Sequence, residues 1–322
     1  MQNESLTETQ SAFGREVYEG LSAFPKYLSS KYFYDATGDK LFQDIMAMPE
    51  YYLTDAEFAI FTEHKNHIAE LFIGDGSPFS LFELGAGDGK KTKILLNALV
   101  EKTAAFDYRP IDISQNALDS LHASIQQEIP KVAVNPIQGT YFDTLKDINA
   151  ATEKRKVILF LGSNIGNLLH PQAIDFLKNL RDSIHDEDMI FMGFDQKKNP
   201  QTILDAYNDA EGITAAFNKN ILHRINKELG GNFDVDQFLH WEVYDPESGT
   251  AKSYLVSKSA QEVRIESLDL EIRLKPWETI HTEISQKYDD EVVYWLAEQA
   301  DLKISNSFTD TEELYKNYVL KK

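Results

Sequence analysis

The segment Glu83-Leu84-Gly85-Ala86-Gly87-Asp88-Gly89 puts glycine at alternate positions directly after the apolar stretch SPFSLF. Glycine lacks Cβ, so a backbone built this way comes close to a ligand where any side chain would collide. Two other glycine loops are excluded by spacing. A phosphate-cradling loop needs G-x-x-x-x-G-K-[ST], and a dinucleotide fingerprint needs G-x-G-x-x-G; in both, the last glycine falls on Lys90. Asp112 ends the next apolar run and is placed to accept hydrogen bonds from ribose hydroxyls. Each feature also has a plain reading: a tight strand-to-helix turn for the glycines and a helix N-terminal acid for Asp112.

The elements that must position these residues follow from the hydrophobic pattern. Residues 77–89, 105–114, 131–139, 156–168 and 188–196 each carry an apolar, strand-like run. Helix-length segments such as KKTKILLNALVEK, NALDSLHASIQQEI and HPQAIDFLKNLRDSI lie between them. Strands alternating with helices imply β-α-β units and a mostly parallel sheet, and near-continuous runs such as VILFL imply burial on both faces. Ligands of such sheets bind beyond the carboxyl ends of the strands. Gly85–Gly89, Asp112, 139–142 and Ser163–Asn167 all fall at those ends, so four loops converge on one crevice.

Past Asp195 the alternation stops. Residues 200–230 read as helical, 236–286 as strands, and the C-terminal stretch as one helix and a strand pair. The division expected is an α/β domain of 65–195 with 287–322, and an α+β domain of 13–64 with 196–286, after a flexible tail of 1–12. In FPKYLSSKYFYDATG (24–38), Tyr34 sits in an aromatic, Gly-punctuated loop, and Pro49 is expected to end the helix of the following segment LFQDIMAMPEYYLT (41–54).

Composition narrows the partners. The formal net charge is −20, with 42% hydrophobic and 26% charged residues, an ordinary globular balance. So acidic a surface repels phosphate backbones and anionic lipid, which argues against nucleic-acid and membrane partners. There is no cysteine, hence no disulfide, thiolate nucleophile or Cys-based zinc site. The eight histidines show no ligand spacing and no metal is expected. The polar, acidic N-terminus MQNESLTETQ does not read as a signal peptide, so a cytoplasmic protein is expected, and a monomer because no segment announces an interface.

The pattern acidic-x-G-x-G-x-G resembles the first motif of Rossmann-like methyltransferases, and with Asp112 it favours S-adenosylmethionine as the nucleotide. Beyond that loop, YFYDATGDKLF (32–42), MPEYYLTDAE (48–57), FLGSNIGNL (160–168), DAYNDAEGITAAFNKN (205–220) and TEISQK (282–287) resemble signature segments of the histidine-specific, S-adenosylmethionine-dependent methyltransferases that begin ergothioneine biosynthesis. The likeness runs from about residue 13 to the C-terminus. It implies a Rossmann-like sheet domain plus a substrate domain, and three methyl transfers to the α-amine of L-histidine.

Residue by residue, the resemblance implies cofactor contacts at Gly85, Gly87, Lys91 and Asp112, with Thr140 and Tyr141 at the adenine. It implies that Tyr51, Asn167 and Tyr207 hold the α-amine and carboxylate of the amino acid, with Tyr34 close by. Glu283 and Ser285 would grip the imidazole; Tyr34 and Asn167 are the candidates for orienting the reacting amine. The chain departs from the family pattern at Thr140–Tyr141, where an acidic-aromatic pair is usual, at Asn164 for threonine, and at Ser253 for methionine. Without the resemblance, Tyr51 and Tyr207 read as half-buried core aromatics, Asn167 as a helix cap and Glu283 as an exposed strand residue. Two rival functions stay open: methylation of another amino acid or small amine, and S-adenosylmethionine binding without catalysis.

Overall fold

The computed structural model describes residues 11–140, 144, 145, 148 and 152–322. Residues 1–10 of the expected tail, and Tyr141, lie outside them. The chain opens with α1 (Ala12–Ser22), β1 (Lys26–Tyr27) and α2 (Ala36–Met46), then α3 (Tyr52–Ile73). Next come β2 (Phe79–Leu84), α4 (Lys90–Glu101), β3 (Phe106–Asp112), α5 (Gln115–Glu128), β4 (Ala133–Val134) and β5 (Ile137–Gln138). They are followed by β6 (Arg155–Phe160), α6 (His170–Asp182) and β7 (Met189–Asp195). Helices α7 (Pro200–Tyr207) and α8 (Ile213–Leu229) precede β8 (Phe238–Asp245), β9 (Thr250–Ser257), β10 (Gln261–Ile265), β11 (Leu270–Leu274) and β12 (Thr279–Gln286). The last elements are α9 (Asp290–Gln299), β13 (Lys303–Thr309) and β14 (Tyr315–Lys321).

The chain divides into a larger unit, Tyr52–Lys197 with Gln286–Lys322, and a smaller one, residues up to Tyr51 with Lys198–Ser285. The first boundary differs from the expected 64/65 because α3 belongs wholly to the larger unit. Its Ile60, Phe61, Ile68 and Phe72 share one buried cluster with Leu95 and Leu99 of α4 and Leu81 of β2. The later boundaries, at 197/198 and 285/286, stand where Tyr288 N donates to Asp195 O (2.9 Å) and Lys197 N to Tyr288 O (2.6 Å), tying both segments to the sheet. Of the expected tail, residues 11 and 12 belong to α1: Ser11 Oγ accepts from Gly14 N at 3.1 Å, so a serine cap starts the helix at Ala12.

In the larger unit the sheet runs β13-β14-β7-β6-β2-β3-β4, with β5 also on β3. Neighbours from β7 to β5 are parallel, while β14 and β13 pair antiparallel. Every residue of β2 and β7 is buried, as their unbroken apolar runs require. The strand expected over 131–139 forms as two short ones, because Pro136 between them has no N–H to give a ladder. One face is covered by α3, α4 and α5, the other by α6 and α9. Chain order leaves β2 toward β3 on one side and β6 on the other, so the strand order reverses at β2, the place where sheets of this kind take ligands beyond their carboxyl ends.

The smaller unit carries the sheet β1-β12-β9-β8 and the antiparallel hairpin β10-β11. Phe33, Phe217, Ile221, Ile225, Phe238, Leu255, Ile265 and Ile280 form its buried centre. Helix α2 ends at Met46, ahead of Pro49 as expected.

Candidate functional site

In the larger unit, β2 hands over to α4 through Gly85, Gly87 and Gly89, at φ of 74°, 53° and 64°, the left-handed region in which a side chain is strained. Gly85 N donates to Ile111 O (2.8 Å), which stitches the loop to the end of β3. Gly87 N donates to Asp112 Oδ2 (3.2 Å) and Ser114 N to Asp112 Oδ1 (2.9 Å). Gly139 N donates to Asp112 O (3.0 Å) and brings in the loop that carries Thr140, whose own carbonyl accepts from Thr144 N at 3.1 Å. Gly85, Gly87, Asp112 and Thr140 are therefore assembled at the carboxyl ends of β2, β3 and β5. The glycines differ in role: a Cβ on Gly87 meets nothing within 4 Å, whereas one on Gly89 would lie 2.4 Å from Leu121 Cδ1. Gly89 serves helix packing, and Gly87 keeps the crevice side clear.

Beneath the loop lies Glu83, buried, accepting from Thr92 Oγ1 (2.6 Å) and from the Tyr108 hydroxyl. Burial pushes its carboxyl up to about 7, against the hydrogen bonds from Thr92 and Tyr108. Lys91, in the first turn of α4, pairs with the fully buried carboxylate of Glu57 on α3. Sequence reasoning missed Glu57; its signal was an acid between Ala56 and Ile60 on the apolar side of α3, all three buried.

The loop after β6 passes through Gly162 (φ 70°) and Ser163 (φ 56°) into a 3-10 turn over Asn164–Asn167. Asn167 ends that turn and is exposed. Ser163 Oγ accepts from Asp195 N (2.9 Å), fixing the turn to β7. Asp195 pairs with Lys287 (2.7 Å), both side chains fully buried, and accepts from the Tyr52 hydroxyl at 2.9 Å. None of these three was read from the sequence; tyrosine 52 hid behind its neighbour, Tyr51.

In the smaller unit, Tyr207 ends α7 and is buried, and its hydroxyl shares a 2.8 Å hydrogen bond with Ser285 Oγ of β12. The Tyr51 ring meets that of Tyr207 edge-on at 6.2 Å and Phe42 at 6.4 Å; Tyr34 meets Phe42 at 5.5 Å. Tyr34, Tyr51, Tyr207 and Ser285 thus belong to one connected group. Glu283 is half-buried, two residues before Ser285 on an extended strand, the spacing that puts two side chains on one face. Ser253 is buried and donates to Glu242 Oε2 at 2.6 Å, so its hydroxyl is engaged inside the sheet unit. His240 Nε2 donates to Tyr207 O at 2.9 Å; burial holds that imidazole below its usual pKa, and in the neutral ring this nitrogen carries the proton.

Among the described residues no group of three or more His, Asp or Glu is arranged to hold a metal, and no helix is long and apolar enough to cross a membrane. Residues 13–322 match the family described as histidine-specific, S-adenosylmethionine-dependent methyltransferases. A histidine N-alpha-methyltransferase of Mycolicibacterium smegmatis is 36% identical, over 93% of this chain and 91% of its own. One from Mycobacterium tuberculosis is 35% identical, over 88% and 86%. Ergothioneine biosynthesis protein 1 of Schizosaccharomyces pombe is 29% identical over 92% of this chain, which spans 39% of that longer protein. By a match over residues 13–322 and by these identities, the chain belongs to the histidine-specific, S-adenosylmethionine-dependent methyltransferase family.

Proposed function

We propose that the protein methylates the α-amine of L-histidine, in three successive transfers giving Nα,Nα,Nα-trimethylhistidine, the first step toward ergothioneine. The observation that carries this reading is the hydrogen bond between Tyr207 and Ser285, which joins the strand bearing Glu283 to the aromatic group of Tyr51. Family membership and the names of the relatives support it.

The residues present fit the cofactor. Gly87 offers backbone without Cβ, and each Asp112 oxygen, with one backbone amide bound, keeps acceptor capacity for a ribose hydroxyl. Lys91 would face the cofactor's carboxylate, with Gly85 beside it and Thr140 toward the adenine. When bound, S-adenosylmethionine supplies a methyl group activated by its sulfonium. The protein's share is alignment of the amine and exclusion of other nucleophiles. Tyr51 and Tyr207 would hold the amino acid's carboxylate and amine, and Asn167 and Tyr34 would orient the amine lone pair. The amine must be unprotonated; with a free pKa of about 8, a slight downward push suffices near neutrality. Glu283 and Ser285 would take the two imidazole nitrogens. The reading extends to a cytoplasmic protein, with which a cysteine-free chain that needs no oxidising compartment agrees, and to a monomer.

A second substrate reading, another amino acid, is favoured by Ser253 and its buried partner Glu242. Incubation with S-adenosylmethionine and a mixture of the standard amino acids, read by mass, decides between them. Histidine should gain up to three methyl groups, and fragmentation should place every one on the α-nitrogen. Methylation of a different amino acid, or of a ring nitrogen, would sink the assignment.

A further inference from the structure

Glu57 is a carboxylate with no exposure to solvent, and an ion in that position is retained only when donors surround it. Its Oε2 accepts from Gly162 N at 2.9 Å and pairs with Lys91 Nζ; its Oε1 accepts from Asn317 Nδ2 at 2.9 Å. The three donors come from the loop after β6, from α4 and from β14. Strand β7 makes room with Gly193 for the carboxylate and the Tyr315 hydroxyl together, since a Cβ there would stand 2.2 Å from Tyr315 Oη and 2.5 Å from Glu57 Oε1. Gly162 and Asn317 thus fix the carboxylate from two sides, and the fixed carboxylate in turn fixes the ammonium of Lys91.

Lys91 follows the glycine loop by two residues and stays 24% exposed, while its partner is sealed off. An ammonium has three N–H bonds on a flexible stem; one goes to Glu57, which leaves two for an external acceptor. The pair is close to neutral, so Lys91 offers an incoming anion directed N–H bonds more than long-range attraction. Direction is what Glu57 controls.

We propose that Glu57 is the positioning residue of the cofactor crevice, orienting Lys91 Nζ toward the carboxylate of the methionine portion of S-adenosylmethionine. The proposal rests on the reading that Lys91 contacts the cofactor. Glu57 touches neither cofactor nor substrate; it acts through Lys91.

Calorimetry with two probes tests this: S-adenosylhomocysteine, which carries the amino-acid carboxylate, and 5′-methylthioadenosine, which lacks it. Glu57→Gln keeps the shape and removes the charge. It should raise the Kd for S-adenosylhomocysteine by at least about tenfold, the order of one charge-assisted hydrogen bond, and leave methylthioadenosine within about twofold. Lys91→Met should do the same, and Glu57→Gln/Lys91→Met should bind no worse than Lys91→Met alone. If Lys91→Met leaves S-adenosylhomocysteine affinity unchanged, the reading of Lys91 fails and the proposal with it. If Lys91→Met weakens binding and Glu57→Gln does not, or if Glu57→Gln weakens both probes equally, Glu57 has no positioning role. Should Glu57→Gln not fold, the double variant, which leaves no unpaired charge, is compared with Lys91→Met; a further tenfold loss would overturn the proposal.

Discussion

Asp112 receives two backbone amides, Gly87 N on one oxygen and Ser114 N on the other, so its carboxylate is oriented by the chain itself. Asp112→Ala should weaken S-adenosylmethionine binding by about 1.5–3 kcal/mol, the range for hydrogen bonds to a charged group, measured by calorimetry. Unchanged affinity would remove Asp112 from the ribose site. Glu283 is the matching test for the amino acid. A pocket built around a polar ring rejects analogues that leave its own groups unpaired. Glu283→Ala should lower kcat/KM for histidine by about 2–4 kcal/mol at nearly constant cofactor affinity, with a smaller loss for an apolar aromatic amino acid. An equal loss for every amino acid would make Glu283 structural. Asp112 was legible from strand position alone, while Glu283, Tyr51 and Tyr207 rested on the family resemblance. Glu57, Asp195 and Lys287 were read from neither: the apolar side of α3 marks Glu57 as buried, but the partner of a buried ion pair lies far away in sequence and no spacing names it.

The strands were readable where apolar runs are continuous, as in β2, β6 and β7, and blurred where the run is broken. β4 and β5 flank Pro136, and no pattern of alternation says whether such a run makes one strand or two. For α3, no reading of the sequence separated it from the segments before it: only its buried residues, packed against α4 and β2, assign it to the larger unit. At the loop that joins β2 to α4, the alternating glycines separate into two tasks that spacing could not distinguish. Gly87→Val fills the crevice side, so it should abolish cofactor binding while the larger unit still folds, at a cost of about 1–3 kcal/mol for a side chain at positive φ. Gly89→Val carries the same backbone strain and also drives a side chain into Leu121 of α5, so it should lower Tm further than Gly87→Val does. The comparison is made by thermal melts and calorimetry on both variants; a larger loss of stability at Gly87 would reverse the assignment.

At the scale of the whole molecule, an acidic chain sets two pH dependences against each other. Asp107, although burial opposes it, is held below the usual carboxylate range by Lys154 and Arg109, and Asp290 is held there by Tyr318 and Lys316. Lowered carboxyls contribute stability above about pH 4, and that contribution is lost as pH falls through their folded values. Glu83 runs the other way. Its carboxyl rises from 4.5 to about 7, first because it is buried and also because the Glu57 carboxylate is near, with Thr92, Tyr108 and Lys91 pulling back. A raised carboxyl contributes stability that is complete below pH 4.5 and is lost as pH climbs to about 7; over that span the loss is about 3 kcal/mol at 1.36 kcal/mol per pH unit. Chemistry pulls oppositely, since the α-amine loses its proton only toward pH of about 8. The fold is therefore strained on the alkaline side where the proposed reaction is fastest. Glu83→Gln cannot ionise and still offers Thr92 and Tyr108 hydrogen-bonding partners. Urea unfolding of the larger unit, followed by Trp295 after Trp241→Phe and Trp277→Phe, should show the difference between variant and parent growing by about 2.5 kcal/mol in the variant's favour from pH 5 to 8. The pH profile of kcat/KM should stay in place, because Glu83 is buried beneath the loop with its two oxygens bonded to Thr92 and Tyr108. A stability difference that is constant across that range would mean Glu83 does not titrate there, and that its two hydroxyl partners keep it ionised throughout.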